Sequence, residues 1–119
     1  MINHVVVLKF KPEVTPEAVR ELARILDDLP NKILEIKMFE FGPDILHSAR
    51  SHDFALVALF TNTAALERYR NHPAHAPVVE KIAAMCDSVV TVDFEGADAG
   101  AVEAGPPEWE RDPFERLKR

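Results

Sequence analysis

Cysteine, tyrosine and tryptophan occur once each in this chain, and glycine only four times in 119 residues. The single cysteine, Cys86, excludes an internal disulfide and any CxxC metal or redox motif. Basic residues are in deficit: 14 Lys and Arg face 20 Asp and Glu, for a formal net charge of -6. Such a surface repels phosphate backbones and argues against a nucleic-acid partner. No run approaches the ~18 consecutive apolar residues of a membrane helix. The start, Met1-Ile2-Asn3-His4, has no basic segment followed by an apolar stretch and a small-residue cleavage site, so no secretory signal is expected. These absences lead to the expectation of a soluble, cytoplasmic protein that meets neither membrane nor nucleic acid. The hydrophobic share, 47%, suffices for one core and is too little for two comfortable domains at this length.

Hydrophobic periodicity supplies the elements. Residues 4–10, HVVVLKF, are β-branched and nearly all apolar, which predicts a strand buried on both faces. One face carries His4, Val6, Leu8 and Phe10, the other Val5, Val7 and Lys9. Thr15-Pro16-Glu17 combines an N-cap, a first-turn proline and an acid at the positive end of the dipole. Val19, Leu22, Leu26 and Leu29 then recur at helical spacing, and Pro30-Asn31 is expected to end that helix. A second strand is expected over 33–41, a polar loop with His47 and His52 over 43–52, and a third strand over 54–60. A helix follows through Ala64, Leu66 and Tyr69. His72-Pro73-Ala74-His75 breaks it and starts another, which carries Val78, Val79, Ile82 and Met85. A fourth strand is expected over 88–94. The order is βαββαβ: a ferredoxin-like α+β fold with a four-stranded antiparallel sheet and helices on one face. No repeat at a fixed period is present.

From Gly96 the composition changes to Gly, Ala and Pro. The domain is therefore placed at 1–95, with 96–119 as a flexible extension. Trp109 and Phe114 leave open a docking arm as well as a disordered tail.

Helices on one face should leave the other face polar, yet Val5, Val7, Ala55, Val57 and Leu59 are apolar on that second face. A second copy of the same sheet is the natural cover, which predicts a homodimer through the helix-free face.

The chemistry-bearing residues gather around one tetrapeptide. Tyr69 and His72 are three apart on a helix turn, His75 follows at the same interval, and His4 shares its strand face with Val6 and Leu8. A face turned toward the helices would bring His4, Tyr69 and His75 together between sheet and helices. Imidazole exchanges protons near neutral pH, and a phenol can bond a developing enolate oxygen. The structural alternative is a histidine that only caps backbone groups and a tyrosine that only packs. His4, His72 and His75 also suit a transition metal, but no paired carboxylate or cysteine accompanies them, so no metal is expected. Cys86 reads as a small core residue.

His4-Val5-Val7-Leu8-Lys9-Phe10-Lys11, then Leu66-Glu67-Tyr69 ahead of His72-Pro73-Ala74-His75, then Val92-Asp93-Phe94, together resemble the stress-responsive A/B barrel domain family (Dabb) over about residues 1–95. The resemblance implies a ferredoxin-like monomer that pairs into a dimeric α/β barrel. Some members are plant stress proteins. One group of members closes small polyketides by intramolecular aldol chemistry without metal or cofactor. Its acid/base residues fall on Tyr69 and His75, and a cavity histidine falls on His4. Where that group has a further pocket histidine, this chain has Phe54. The expected substrate pocket comprises Phe54, His72, Val6 and Leu8 around the catalytic candidates Tyr69, His75 and His4, with no cofactor. Two functions follow: a cofactor-independent cyclase- or isomerase-type enzyme on a small carbonyl or phenolic compound, or a non-catalytic stress-associated binding module.

Overall fold

A computed structural model describes residues 1–97. Its elements run β1 (Ile2–Phe10), α1 (Pro16–Lys32), β2 (Met38–Pro43), β3 (Phe54–Phe60), α2 (Thr63–Arg70), α3 (Ala76–Met85) and β4 (Cys86–Glu95). The four strands form one antiparallel sheet in the order β2-β3-β1-β4. All three helices lie on one face, the ferredoxin-like arrangement expected from the element order. Trp109 and Phe114 lie outside the described residues.

The first helix starts where the capping residues require. Thr15 Oγ1 accepts from the Ala18 N–H at 3.2 Å, and Pro16 occupies the first turn. Its end departs from expectation, because Pro30 does not stop it and helix continues to Lys32. Proline in a helix costs about 3 kcal/mol, because it forgoes the bond to the carbonyl four residues back, here Leu26, and crowds it; burial of Leu29 and Ile33 offsets that cost. The last turn is held by the Ile33 N–H donating to the Leu29 carbonyl at 3.1 Å, and both side chains are buried.

That anchor also displaces the second strand. Ile33 is fully buried as the cap of α1, so the chain must turn before it can pair. The Ile36 N–H reaches back to the Ile33 carbonyl, and β2 begins at Met38 rather than residue 33. It runs on through Gly42-Pro43, which an edge strand tolerates because one side of its backbone has no ladder partner. The third strand coincides with the expected 54–60. The fourth begins two residues early: Cys86 ends α3 and opens β4 in one step. Cys86 is buried there, and burial, with Asp53 and Asp87 adding to it, raises its thiol pKa.

Two regions of packing divide the layer between sheet and helices. Leu22, Leu26 and Leu29 of α1 are buried over the β2 side. There Phe10, Phe41 and Phe54 pack ring to ring, with Phe41 and Phe54 stacked at 6.2 Å between centroids. The β1–β4 side is covered by α2 and α3 instead. The opposite face of the sheet carries no helix. By alternation it presents Val5, Val7, Ala55, Val57 and Leu59, together with Met38, Val90, Val92 and Phe94. Val92 and Phe94 are 59% and 49% exposed in the single chain.

Candidate acid/base pocket

Helix α2 is capped by Asn62, whose side chain accepts from the Ala65 N–H at 2.9 Å. This sets the register that buries Ala65, Leu66 and Tyr69 on one stripe. Beyond Arg70 the chain advances in steps of three. The His72 N–H donates to the Tyr69 carbonyl, the His75 N–H to the His72 carbonyl, and the Val78 N–H to the His75 carbonyl, at 3.1, 3.0 and 3.1 Å. Pro73 has no N–H to continue an α-helix, so this tighter path replaces it. It carries His75 to the mouth of α3, back over Tyr69. The ring centroids of Tyr69 and His75 are 4.4 Å apart.

On the sheet, His4 lies on the helix-facing side of β1. Its ring meets Tyr69 edge-on at 5.9 Å and Phe60 at 6.3 Å. His4, Tyr69 and His75 thus line one cavity of about 430 Å³, between the sheet and α2–α3. Val6 and Leu56 form its floor, Val78 and Ile82 its roof, and Val89 and Thr91 its β4 wall.

The hydrogen bonds fix what each group can do. The His75 Nδ1–H donates to the Arg70 carbonyl at 3.2 Å, which satisfies an end carbonyl of α2 and leaves Nε2 as an acceptor. Burial is the largest influence on this imidazole and lowers its pKa; the nearby His4, Arg70 and His72 charges add to that, against the Arg70 carbonyl. The Tyr69 side chain is buried, and burial pushes its phenol up to about 12. Tyr69 therefore stays a neutral O–H donor at ordinary pH. A buried tyrosine hydroxyl usually has a protein partner. This one bonds none of the described residues, and no fully buried side-chain polar atom among them lacks a partner. The hydroxyl thus opens on the cavity. His4 Nδ1 is bonded to the Asp93 carboxylate.

Three residues expected at the pocket lie elsewhere. Leu8 and Phe54 pair across β1 and β3 at the other end of the sheet, inside the phenylalanine cluster beneath α1. Alternation selects their face correctly but not the helix that covers it. The His72 ring turns to its own backbone, where Nδ1 accepts from the Ala74 N–H at 3.0 Å, so it is a junction residue. His4, His72 and His75 do not form a metal-holding set, and no group of three His, Cys, Asp or Glu side chains among the described residues does. His47 is exposed in the β2–β3 loop, while His52 is half-buried. Asp93, like Thr91 and Arg70, lines the pocket without a local sequence signal. The pairing of His4 with Asp93 in the β1–β4 register is the signal that locates it.

No helix among the described residues is long and apolar enough to cross a membrane. The fold and its cleft define a ferredoxin-like α+β domain with a histidine- and tyrosine-lined pocket. The sequence model of the Stress responsive A/B Barrel Domain matches residues 2–96. The chain belongs to that family. It is 31% identical over 98 residues to the stress-response A/B barrel domain-containing protein HS1 of Arabidopsis thaliana, covering 79% of this chain and 88% of HS1. A dimeric ferredoxin-like protein of unknown function from Thermobifida fusca superposes with a TM-score of 0.75 at 33% identity, over 80% of this chain and 90% of that one. A hydroxynitrile lyase from Passiflora edulis shares the fold with a TM-score of 0.74 at 16% identity, over 82% of this chain and 94% of the lyase.

Proposed function

We propose that this pocket performs acid/base catalysis on a small carbonyl or phenolic compound without a cofactor, in a homodimer joined through the helix-free sheet face. The observation that carries the chemistry is the pairing of an unbonded Tyr69 hydroxyl with a His75 whose Nδ1–H is committed to the Arg70 carbonyl. One group is held as a donor and its neighbour as an acceptor, as enolisation requires. His75 Nε2 takes a proton from the carbon beside a carbonyl. The Tyr69 O–H donates to the oxygen on which charge develops. The resulting imidazolium returns its proton to the rearranged product, so the site ends as it began. A positioned base contributes about 10²–10⁴-fold in rate. The apolar floor and roof lower the polarity around the enolate and strengthen both interactions.

The pH dependence tests this reading. The working form of His75 is neutral, and its pKa is lowered, chiefly by burial. kcat/KM should therefore fall only as pH drops through a midpoint below the ordinary histidine value of about 6.5. Tyr69, raised to about 12, should add no limb in the neutral or mildly alkaline range. The same depression makes the His75 contribution to folding full above about pH 6.5 and lost progressively below it, because the unfolded chain takes the proton first. An acid limb centred at or above 6.5 would remove His75 as the base.

The dimer rests on the open face. Nine apolar residues from all four strands face away from the helices, too many for solvent to be their natural neighbour. The Thermobifida fusca relative, 33% identical, is described as dimeric, which supports the same assembly here.

A further inference from the structure

We propose that Asp93 is the positioning residue of His4: its carboxylate holds the ring with the proton on Nδ1 and so makes Nε2 a second acceptor facing the cavity. The inference rests on the acid/base reading of the pocket, and adds to it a residue and a defined tautomer.

The placement follows from strand register. β1 and β4 run antiparallel with His4 directly opposite Asp93, so both side chains project on the same face of the sheet. That face looks into the cavity, which both residues line. His4 is 9% exposed, and a polar ring so buried needs a partner. The Asp93 carboxylate supplies it at Nδ1. A carboxylate only accepts, so the shared proton is a donated Nδ1–H. Nε2 bonds no other group among the described residues, and no fully buried side-chain nitrogen there is without a partner. Nε2 is therefore reached from the cavity. A free histidine side chain favours the opposite tautomer, with its proton on Nε2. Asp93 thus selects a form that His4 would not adopt by default.

The two histidines are then oriented by the same device with different partners. His75 has its Nδ1–H held by a backbone carbonyl and His4 by a carboxylate, and each is left with Nε2 for a ligand. Tyr69, between them at 4.4 and 5.9 Å from the two rings, supplies the hydroxyl donor. Turning His4 to its default tautomer would place an N–H in the cavity as a second donor beside the Tyr69 hydroxyl and remove one acceptor. Asp93 is 41% exposed at its side chain, so replacing it opens no core cavity.

Histidine side-chain ¹H–¹⁵N spectra of the labelled full chain at about pH 8.5, where imidazoles are neutral, read the tautomer directly. In the wild type, His4 should carry its proton on Nδ1. In Asp93→Ala and Asp93→Asn it should move to Nε2, while His75 keeps its Nδ1–H in all three proteins. Asp93→Glu should restore the wild-type pattern at least in part. On any substrate that turns over, Asp93→Asn should lower kcat toward the lower end of the ~10²–10⁴-fold range of a positioned acid or base, with KM little changed. A wild-type His4 protonated on Nε2, or a tautomer indifferent to Asp93→Ala, would overturn the proposal. The wild-type spectrum alone decides the first point, should a variant fail to fold. Failure of the catalytic reading would instead appear as absence of turnover with the tautomer pattern intact.

Discussion

His75→Ala is expected to lower turnover by about 10²–10⁴-fold on any carbonyl compound that the protein converts, while leaving folding and assembly unchanged. The side chain sits at the mouth of α3, half-buried, and makes no side-chain cap there, so its removal costs the helix little. Its one hydrogen bond, to the Arg70 carbonyl, closes a helix end that water can satisfy instead. The loss should fall on kcat, because the proton is taken only in the transition state. Tyr69→Phe should reduce kcat as well, since only the hydroxyl is removed and the packing against Phe60 at 4.8 Å is kept. His72→Ala is the contrast: the ring serves the Ala74 N–H at the junction, and its loss should affect stability more than rate. The assay is steady-state kinetics on a panel of small β-polyketide and enol-lactone compounds, with and without chelator. Chelator should make no difference. Wild-type rates in both His75→Ala and Tyr69→Phe would contradict the assignment.

The second large effect concerns assembly. Val57→Asp should convert the dimer to monomer at micromolar concentration in sedimentation velocity. Val57 lies at the centre of the open face, beside Val5 on β1 and Glu40 on β2. In a two-fold interface the substitution enters twice, and each copy buries a carboxylate without a partner, a penalty of several kcal/mol apiece. Glu40 on the neighbouring strand adds like-charge repulsion within one chain. Val92→Asp separates the two costs. Val92 is 59% exposed in the single chain, so a charge there disturbs the isolated fold little yet would still enter the proposed dimer interface. Both variants should be monomeric, and Val92→Asp should still unfold in one cooperative transition. A Val92→Asp protein that stayed dimeric would displace the interface from this face.

What could be read from the sequence depended on the range of the interaction involved. The capped start of α1 at Thr15 and the limits of β3 follow from signals a few residues long, and they stand where those signals put them. Alternation along β1 also sufficed to separate His4 and Val6 from Val5 and Val7. The second strand starts later than its periodicity suggests, because Ile33 reads as a strand residue but is claimed by the core as the anchor of α1. Pro30 misled for a related reason: tertiary burial of Leu29 and Ile33 outweighs a local breaker in a last turn. Leu8 and Phe54 share the face of His4, and only the division of that face between α1 and the α2–α3 pair separates them from the pocket. Asp93 is 89 residues from His4, so nothing short of strand register could join them. The apolar β4 residues Val90, Val92 and Phe94 enlarge the stripe already visible on β1 and β3, for the same reason.

If His75 takes a proton from a carbon acid, isotope exchange measures that step without requiring a completed reaction. Small β-dicarbonyl and enol-lactone compounds would be incubated with the protein in deuterium oxide, and loss of the α-proton signal followed by NMR. Exchange should run well above the buffer rate with wild-type protein on at least one compound and fall by about 10²–10⁴-fold in His75→Ala. Exchange no faster than buffer across the panel, or equal in wild type and His75→Ala, would contradict that role of His75.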